Sequence, residues 1–359
     1  MEYLVDLYTD YLLSSFGPAT ATGLSRVLDN AVSHDAFTRM LSDTGFDSKY
    51  LWLSCKRLVR AHESPDACLV FDDTLIEKPF SEENGLVCWH WDHANGRHTK
   101  AINVVTAFYH SQKPGEDLPL RVPVAFATVR KDEWRTDPKT GKQKRASPVT
   151  KNQLMQGMIT QAIANRLAFK YILADSWFAS AQNMRFIQRL GKHFIFDMHT
   201  NRLAAASDKD RNNGAWTRID ALEIPANVPV KVWLKDLEFP VLLTRQVLTN
   251  QDSTTCTRYL VSNDLELSDD DFTAHYKKRW GVEEYHKSLK QNASAAKSPA
   301  HTVTTQANHL FASVLAYIKL ERLKFAHRLN HFALKSRIYI QAAKAAFQEL
   351  AKLKNACPA

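Results

Sequence analysis

Residues 67–74 read Ala-Cys-Leu-Val-Phe-Asp-Asp-Thr, a short apolar run that ends in two aspartates. A second run of the same kind, residues 170–175, reads Lys-Tyr-Ile-Leu-Ala-Asp. Short apolar runs bounded by polar residues are typical of buried β-strands. Carboxylates at the ends of two neighbouring strands can share a cation, so the sequence predicts an acidic site at one edge of a sheet.

The segments around these two runs predict a mixed α/β fold. Two more β-rich runs, 101–110 and 121–129, follow the first, and then come a helix at 150–167, the second acidic strand, a helix at 179–190 and a strand at 193–198. Residues 201–264 read as consecutive strands without a long helix. Apolar residues at helical spacing predict helices within residues 1–62 and again after about residue 302.

Residues 276–290 read Tyr-Lys-Lys-Arg-Trp-Gly-Val-Glu-Glu-Tyr-His-Lys-Ser-Leu-Lys. On one continuous α-helix the polar residues Tyr276, Arg279, Glu283 and Lys290 would share a side, while the apolar residues would point the other way. Glu284 would be turned away from that polar stripe. A solvated charged face is the simplest interpretation of this helix alone; a face that acts on phosphates beside a metal ion is the alternative.

The spacing Tyr-x2-Arg-x3-Glu-x6-Lys resembles the signature of the insertion-sequence-4-like family of bacterial DDE transposases. The resemblance implies an RNase H-like catalytic core at 63–200 and 265–300, interrupted by a β-rich insertion at 201–264. It also implies a helical DNA-binding region at 1–62 and a C-terminal helical region at 301–359.

The resemblance further implies that Asp73, Asp175 and Glu283 are catalytic and hold Mg²⁺, for which Mn²⁺ can substitute. The aspartate of the family pattern stands directly before threonine, which favours Asp73 over Asp72 as the first ligand. Asp72 stays open as the alternative or as a supporting residue. Asp175 could instead cap the helix that follows it.

Residues expected to contact DNA fall into two groups. Two short helices at 22–42 could form a helix-turn-helix, although short helical hairpins are also common. Its exposed residues would be His34, Asp35, Thr38 and Arg39. In the motif segment the expected contacts are Tyr276, Arg279, Trp280, Lys287 and Lys290.

Three other features leave alternatives open. His98, just before the predicted strand at 101–110, could support catalysis or could be a surface histidine. Trp233 could stack on an unpaired base, but core packing is the simpler interpretation. The basic residues of segment 130–151 predict a solvated loop, with a phosphate contact as the alternative.

Composition favours an acidic partner and excludes several classes of protein. The chain has 359 residues and a net charge of +9, which suits a nucleic acid. Its five cysteines form no Cys-x2-Cys pair, so neither a zinc site nor a disulfide framework is indicated. No signal peptide or membrane span is apparent, which predicts a cytoplasmic, nucleoid-associated protein without a membrane partner.

These observations together predict a DNA transposase. It would bind the inverted-repeat ends of its own element and target DNA as double-stranded DNA, as a homodimer, and would cut and join the strands. The alternatives are an RNase H-like nuclease or resolvase that cleaves without transfer, and a domesticated sequence-specific DNA-binding protein.

Overall fold

The computed structural model describes residues 1–43, 45–249 and 253–355. The helices are α1 (Glu2–Ser14), α2 (Ala21–Val27), α3 (His34–Asp43), α4 (Ser48–His62), α5 (Lys151–Ala164), α6 (Ala181–Arg189), α7 (Asp208–Asn212), α8 (Asp269–Lys277), α9 (Trp280–Gln291), α10 (Val303–His327) and α11 (His331–Asn355). Cys357 and the last residues of the predicted C-terminal region lie outside the described residues.

The strands are β1 (Cys68–Glu77), β2 (Cys88–Asp92), β3 (Arg97–Ser111), β4 (Leu120–Thr128), β5 (Glu133–Thr136), β6 (Gln143–Ala146), β7 (Tyr171–Ala174), β8 (His193–Asp197), β9 (Leu203–Ala205), β10 (Thr217–Arg218), β11 (Val230–Leu234), β12 (Val241–Thr249) and β13 (Thr255–Ser262). Most of them form one sheet in the order β10-β9-β11-β12-β13-β8-β7-β1-β3-β2, with β4 paired to the other half of β3. Helices cover this sheet, so the predicted mixed α/β class is confirmed.

Three parallel strands lie at the centre of the sheet. In the register, Phe71 of β1 pairs with Ala174 of β7, and Ala174 pairs with Phe196 of β8. The apolar residues Cys68–Phe71 of β1 and those of β7 and β8 are buried, as expected for parallel strands covered on both faces. Strand β1 does not end at its aspartates as the sequence predicted but continues to Glu77 along β3. Because all three strands run in the same direction, the residues just beyond the paired positions Phe71, Ala174 and Phe196 lie at one level of the sheet.

The predicted insertion at 201–264 does not form a sheet of its own. Its strand β13 pairs with β8 of the central sheet, with Val261 opposite Phe196, and β12 and β11 continue outward from it. The consecutive strands predicted there are interrupted, because β10 holds only two residues and a 3-10 turn, Ile219–Ala221, follows it. Pairing between strands far apart in the chain cannot be read from local periodicity.

The N-terminal helices pack against a C-terminal helix. Helix α10 is buried along most of its length and contacts α1, α3 and α4. Side chains link the two ends of the chain: Tyr8 Oη lies 2.9 Å from His309 Nδ1, and Asn308 Nδ2 donates to the Leu41 carbonyl at 2.8 Å. The helical regions at the two ends of the chain therefore share one layer.

The basic segment at 130–151, predicted as a loop, contains an antiparallel hairpin. Strands β5 and β6 pair with each other, and the turn between them is closed by Asp137 and Gly141. Gly141 adopts a φ of +68°, which favours glycine. Both strands are dominated by charged and polar residues, so the apolar alternation that normally reveals a strand is absent.

Candidate active site

The motif segment forms two helices where the sequence predicted one. Helix α8 begins after Ser268, whose side chain caps the helix by accepting a hydrogen bond from the Asp271 N–H. It ends at Lys277, and α9 begins at Trp280. Around this joint the backbone N–H groups bond to carbonyls three residues back, for example Arg279 to Tyr276 at 2.9 Å. Residues on either side of the joint therefore do not follow one helical wheel.

Arg279 is the centre of the cluster. One guanidinium nitrogen, Nη2, lies 2.6 Å from Glu283 Oε1, and the other, Nη1, lies 3.8 Å from Asp72 Oδ2. The Arg279 side chain is 19% exposed, so its charge is only partly screened by water. This arginine brings the carboxylates of β1 and α9 to one place.

Asp72 and Asp73 face opposite sides of β1, as alternate residues of a strand do. Asp72 lies on the side of α9, with His286 Nδ1 3.9 Å from its carboxylate. Asp73 lies on the other side: its Oδ2 receives hydrogen bonds from Lys151 Nζ at 2.7 Å and from Asn103 Nδ2 at 2.9 Å. Only Asp72 shares Arg279 with Glu283.

Asp175 lies at the level of Asp72. Phe71 of β1 pairs with Ala174 of β7, and Asp72 and Asp175 are the residues that follow them. These two aspartates therefore lie at the same level of adjacent parallel strands. Burial, and next the negative charge of Asp175, raise the pKa of Asp72 to about 7. Burial, and next the charge of Asp73, raise the pKa of Asp175. The carboxylates are thus crowded in a site poor in water.

The remaining motif residues have different surroundings. Tyr276 is buried, and its ring centroid lies 4.7 Å from the Arg258 guanidinium and 5.6 Å from that of Arg279. Lys290 is half-buried; burial lowers its pKa, and Asp92 and Glu77 oppose that shift. The structure therefore brings Arg279 and Glu283 together, whereas Tyr276 contacts the cluster through arginines and Lys290 lies near other acids.

Three of the other motif residues reach the surface. Trp280 is 61% exposed, and Lys287 is exposed with its Nζ 5.3 Å from the Phe332 ring centroid. Glu284 forms an ion pair with Arg121, on a different side of α9 from the pair made by Glu283. Glu283 is thus the one of these two glutamates that lies beside Arg279.

The fold and the cluster agree with the comparison with known families. Residues 4–246, more than half of the chain, match the family model described as a DDE superfamily endonuclease. The chain belongs to this superfamily. No curated protein matches the sequence. The match includes Asp72, Asp73 and Asp175, whereas Glu283 and the rest of its signature follow it in the chain.

A DDE endonuclease acts on DNA, and the superfamily typically uses divalent metal ions. Carboxylate oxygens are the ligands that such hard cations prefer, so the residue types of the cluster fit a metal ion. Among the described residues, no three His, Cys, Asp or Glu side chains stand close enough together to hold one. Arg279 instead forms an ion pair with Glu283, and Lys151 forms one with Asp73, so basic side chains neutralise these two carboxylates.

A further acid that was not predicted from the sequence lies beside the cluster. Asp197 ends β8 one step beyond the pair Ala174 and Phe196, which brings it to the level of Asp175. Burial raises its pKa, and Arg258 and Arg279 partly offset that shift. The signal was present in the sequence, because an apolar strand ending in aspartate recurs at 193–197.

The other predicted residues of this DDE endonuclease lie outside the carboxylate cluster. On α3, His34, Thr38 and Arg39 are exposed while Phe37 and Met40 are buried, and the helix packs on α1, α2 and α10. Asp35 is also exposed, and its Oδ1 lies 3.2 Å from His34 Nδ1.

Two aromatic contacts complete the set of predicted residues. His98 is exposed, with its ring 5.0 Å from that of Trp91. Trp233 is half-buried beneath the Arg211 guanidinium, which lies 3.8 Å from its ring centroid. No helix among the described residues is long and apolar enough to cross a membrane.

Proposed function

We propose that this DDE endonuclease is the transposase of a bacterial insertion sequence of the insertion-sequence-4-like family. It binds the inverted-repeat ends of its element, cleaves them by metal-dependent hydrolysis and transfers the 3′-OH ends into target DNA. The observation that carries the proposal is that Arg279 lies between Asp72 and Glu283, while Asp175 lies level with Asp72 on the next strand. Acids from two parallel strands and a later helix suit phosphodiester chemistry.

An RNase H-like core is part of the same proposal. In its support, β4, β3 and β1 lie antiparallel on one side of the site, and β7 and β8 continue parallel to β1 on the other. The spacing of Tyr276, Arg279, Glu283 and Lys290 supports the subfamily. The β-rich segment between the second aspartate and the glutamate supports it as well.

We assign Asp72, Asp175 and Glu283 as the groups that would hold Mg²⁺, or Mn²⁺ in its place. The sequence pattern favoured Asp73, but Asp72 alone faces Arg279 and α9, which supports the change. A bound Mg²⁺ would supply Lewis-acid chemistry for hydrolysis and for strand transfer. Asp73, between Lys151 and Asn103, has a positioning role at the same edge.

The basic residues around the acids would hold DNA. Arg279 neutralises a phosphate once it leaves Glu283, and Tyr276 orients its guanidinium together with that of Arg258. Lys287, Lys290 and Trp280 extend this surface along α9, and His34, Thr38 and Arg39 read the repeat from α3. His98 stays a candidate supporting residue.

Dimerisation in the DNA complex and a place in the nucleoid also belong to the proposal. Helix α11 supports the dimer, because its outer part exposes apolar residues that a single chain leaves uncovered: Tyr339, Ile340, Phe347, Leu350 and Leu353.

The test uses the DNA that flanks the reading frame. Purified protein is incubated with labelled duplexes from each flank and with Mg²⁺, and a pre-cut end is then offered together with a target plasmid. The proposal expects cleavage at a repeat boundary followed by joining to the plasmid. Cleavage without joining would contradict the proposal and indicate a nuclease. Binding without cleavage would contradict it and indicate a DNA-binding protein.

A further inference from the structure

Trp177 is an exposed aromatic residue beside the candidate carboxylates. It lies two positions after Asp175, and its backbone N–H donates to Asp175 Oδ1 at 3.1 Å. The residue is 58% exposed, whereas its neighbour Phe178 is fully buried. An exposed indole next to a site that acts on DNA offers a flat surface for an unpaired base.

Lys151 holds an ammonium against the same indole. Its Nζ lies 5.2 Å from the Trp177 ring centroid and 2.7 Å from Asp73 Oδ2. Lys151 is the first residue of α5, and a capping box between Thr150 and Gln153 fixes that end of the helix. An aromatic face, a cation and the acids of the site are thus held together by short, ordered segments.

We propose that Trp177 and Lys151 form a binding site for one unpaired nucleotide at the edge of the carboxylate cluster. The indole stacks on the base, and the ammonium neutralises the phosphate of that nucleotide. The inference rests on the proposed function and adds to it a ligand: a base that is terminal, single-stranded or extruded from the duplex. A base inside a duplex is already stacked on both sides and has no free face for the indole.

A matched tryptophan lies elsewhere on the protein. Trp134 on β5 is 59% exposed, and the Arg145 guanidinium lies 4.7 Å from its ring centroid. Like Trp177, Trp134 is exposed and contacts a cation, but only Trp177 lies beside Asp175. Comparison of the two residues separates a site-specific stacking role from a general effect of losing a surface indole.

The experiment measures binding to two duplexes in EDTA, where no cleavage occurs. One duplex is blunt, and the other carries a short single-stranded extension with 2-aminopurine. We expect wild-type protein to prefer the extended duplex and to quench the 2-aminopurine emission. Trp177→Leu should weaken binding to the extension by about fivefold to a hundredfold, the effect of one stacked base, while Trp177→Phe retains most of the preference. Trp134→Leu should keep the ratio between the two duplexes.

Lys151 is tested by salt dependence. Lys151→Gln should lower the slope of log K against log[salt] on the extended duplex by about 0.7, the value for one phosphate contact on a single strand. An unchanged slope would remove Lys151 from the proposal.

The stacking site is overturned if Trp177→Leu keeps the wild-type preference, or if Trp134→Leu loses it equally. If circular dichroism shows that Trp177→Leu does not fold, the 2-aminopurine emission is measured with wild-type protein and with Trp177→Phe instead. Emission that neither protein quenches overturns the site. A protein that binds neither duplex contradicts the proposed function itself. A protein that cleaves element ends but shows no preference for the extension contradicts only the stacking site.

Discussion

The two sides of strand β1 show how adjacent identical residues acquire different chemistry. On one side, Asp72 meets Arg279 and His286 of the motif segment, and burial together with Asp175 raises its pKa to about 7. On the other side, Asp73 is neutralised by Lys151 and receives a hydrogen bond from Asn103. Strand alternation, and not residue type, therefore decides which aspartate faces Arg279 and α9, whereas the charges of both aspartates act on groups of the same site.

The largest expected effect comes from the Asp72 side. Asp72→Asn, Asp175→Asn and Glu283→Gln should each lower cleavage by about a thousandfold or more, because each removes several kcal/mol of metal-dependent stabilisation of the transition state. Binding to DNA should stay within about an order of magnitude, because these changes remove no phosphate contact. Cleavage assays run beside gel shifts measure both.

Asp73→Asn is the matched control for that prediction. It makes the same chemical change one residue away, and we expect a loss of about tenfold to a hundredfold, the usual effect of a group that orients ligands without holding the metal. If Asp73→Asn abolishes cleavage and Asp72→Asn does not, the assignment of the two sides is reversed.

An intermediate effect is expected from Arg279. Arg279→Gln removes the cation shared by Asp72 and Glu283, so cleavage should fall by about tenfold to a hundredfold. If Arg279 also neutralises a phosphate, the slope of log K against log[salt] should fall by about 0.9 on duplex DNA. Lys142→Gln, on the exposed hairpin turn, is the control for loss of one positive charge. Equal changes in both variants would mean that only net charge matters.

The smallest effect is expected on the Asp73 side. Lys151→Met removes a cation that lies 2.7 Å from Asp73, so the site becomes more negative and should bind divalent ions more tightly. We expect a gain of about tenfold or less in Mn²⁺ affinity by calorimetry without DNA, or up to about 1.4 kcal/mol. Weaker binding would mean that Lys151 orders the acids more than it opposes the metal.

Local patterns predicted much of this site. The apolar runs before Asp72 and Asp175 are strands, and the exposed face of α3 has the expected residues. Each of these features depends on a few neighbouring residues, so periodicity and capping rules suffice for them.

Features that depend on long-range packing were missed. The register that aligns Asp197 with Asp175 requires the pairing of β7 with β8, and the contact between Asp72 and Arg279 requires the position of α9. The break between α8 and α9 at Lys278 and Arg279 could not be predicted from residue types, because both residues keep helical backbone angles. The hairpin at 133–146 escaped notice because charged residues fill both strands.

Anomalous diffraction from crystals of the protein with Mn²⁺ and a DNA end tests most directly our proposal that Asp72, and not Asp73, completes the metal-binding set with Asp175 and Glu283. This measurement locates the ion without reference to activity. We expect Mn²⁺ bonded to carboxylate oxygens of Asp72 and Asp175, with Arg279 released from Glu283. An ion bonded to Asp73 with Lys151 displaced, while Asp72 still faces Arg279, would contradict it.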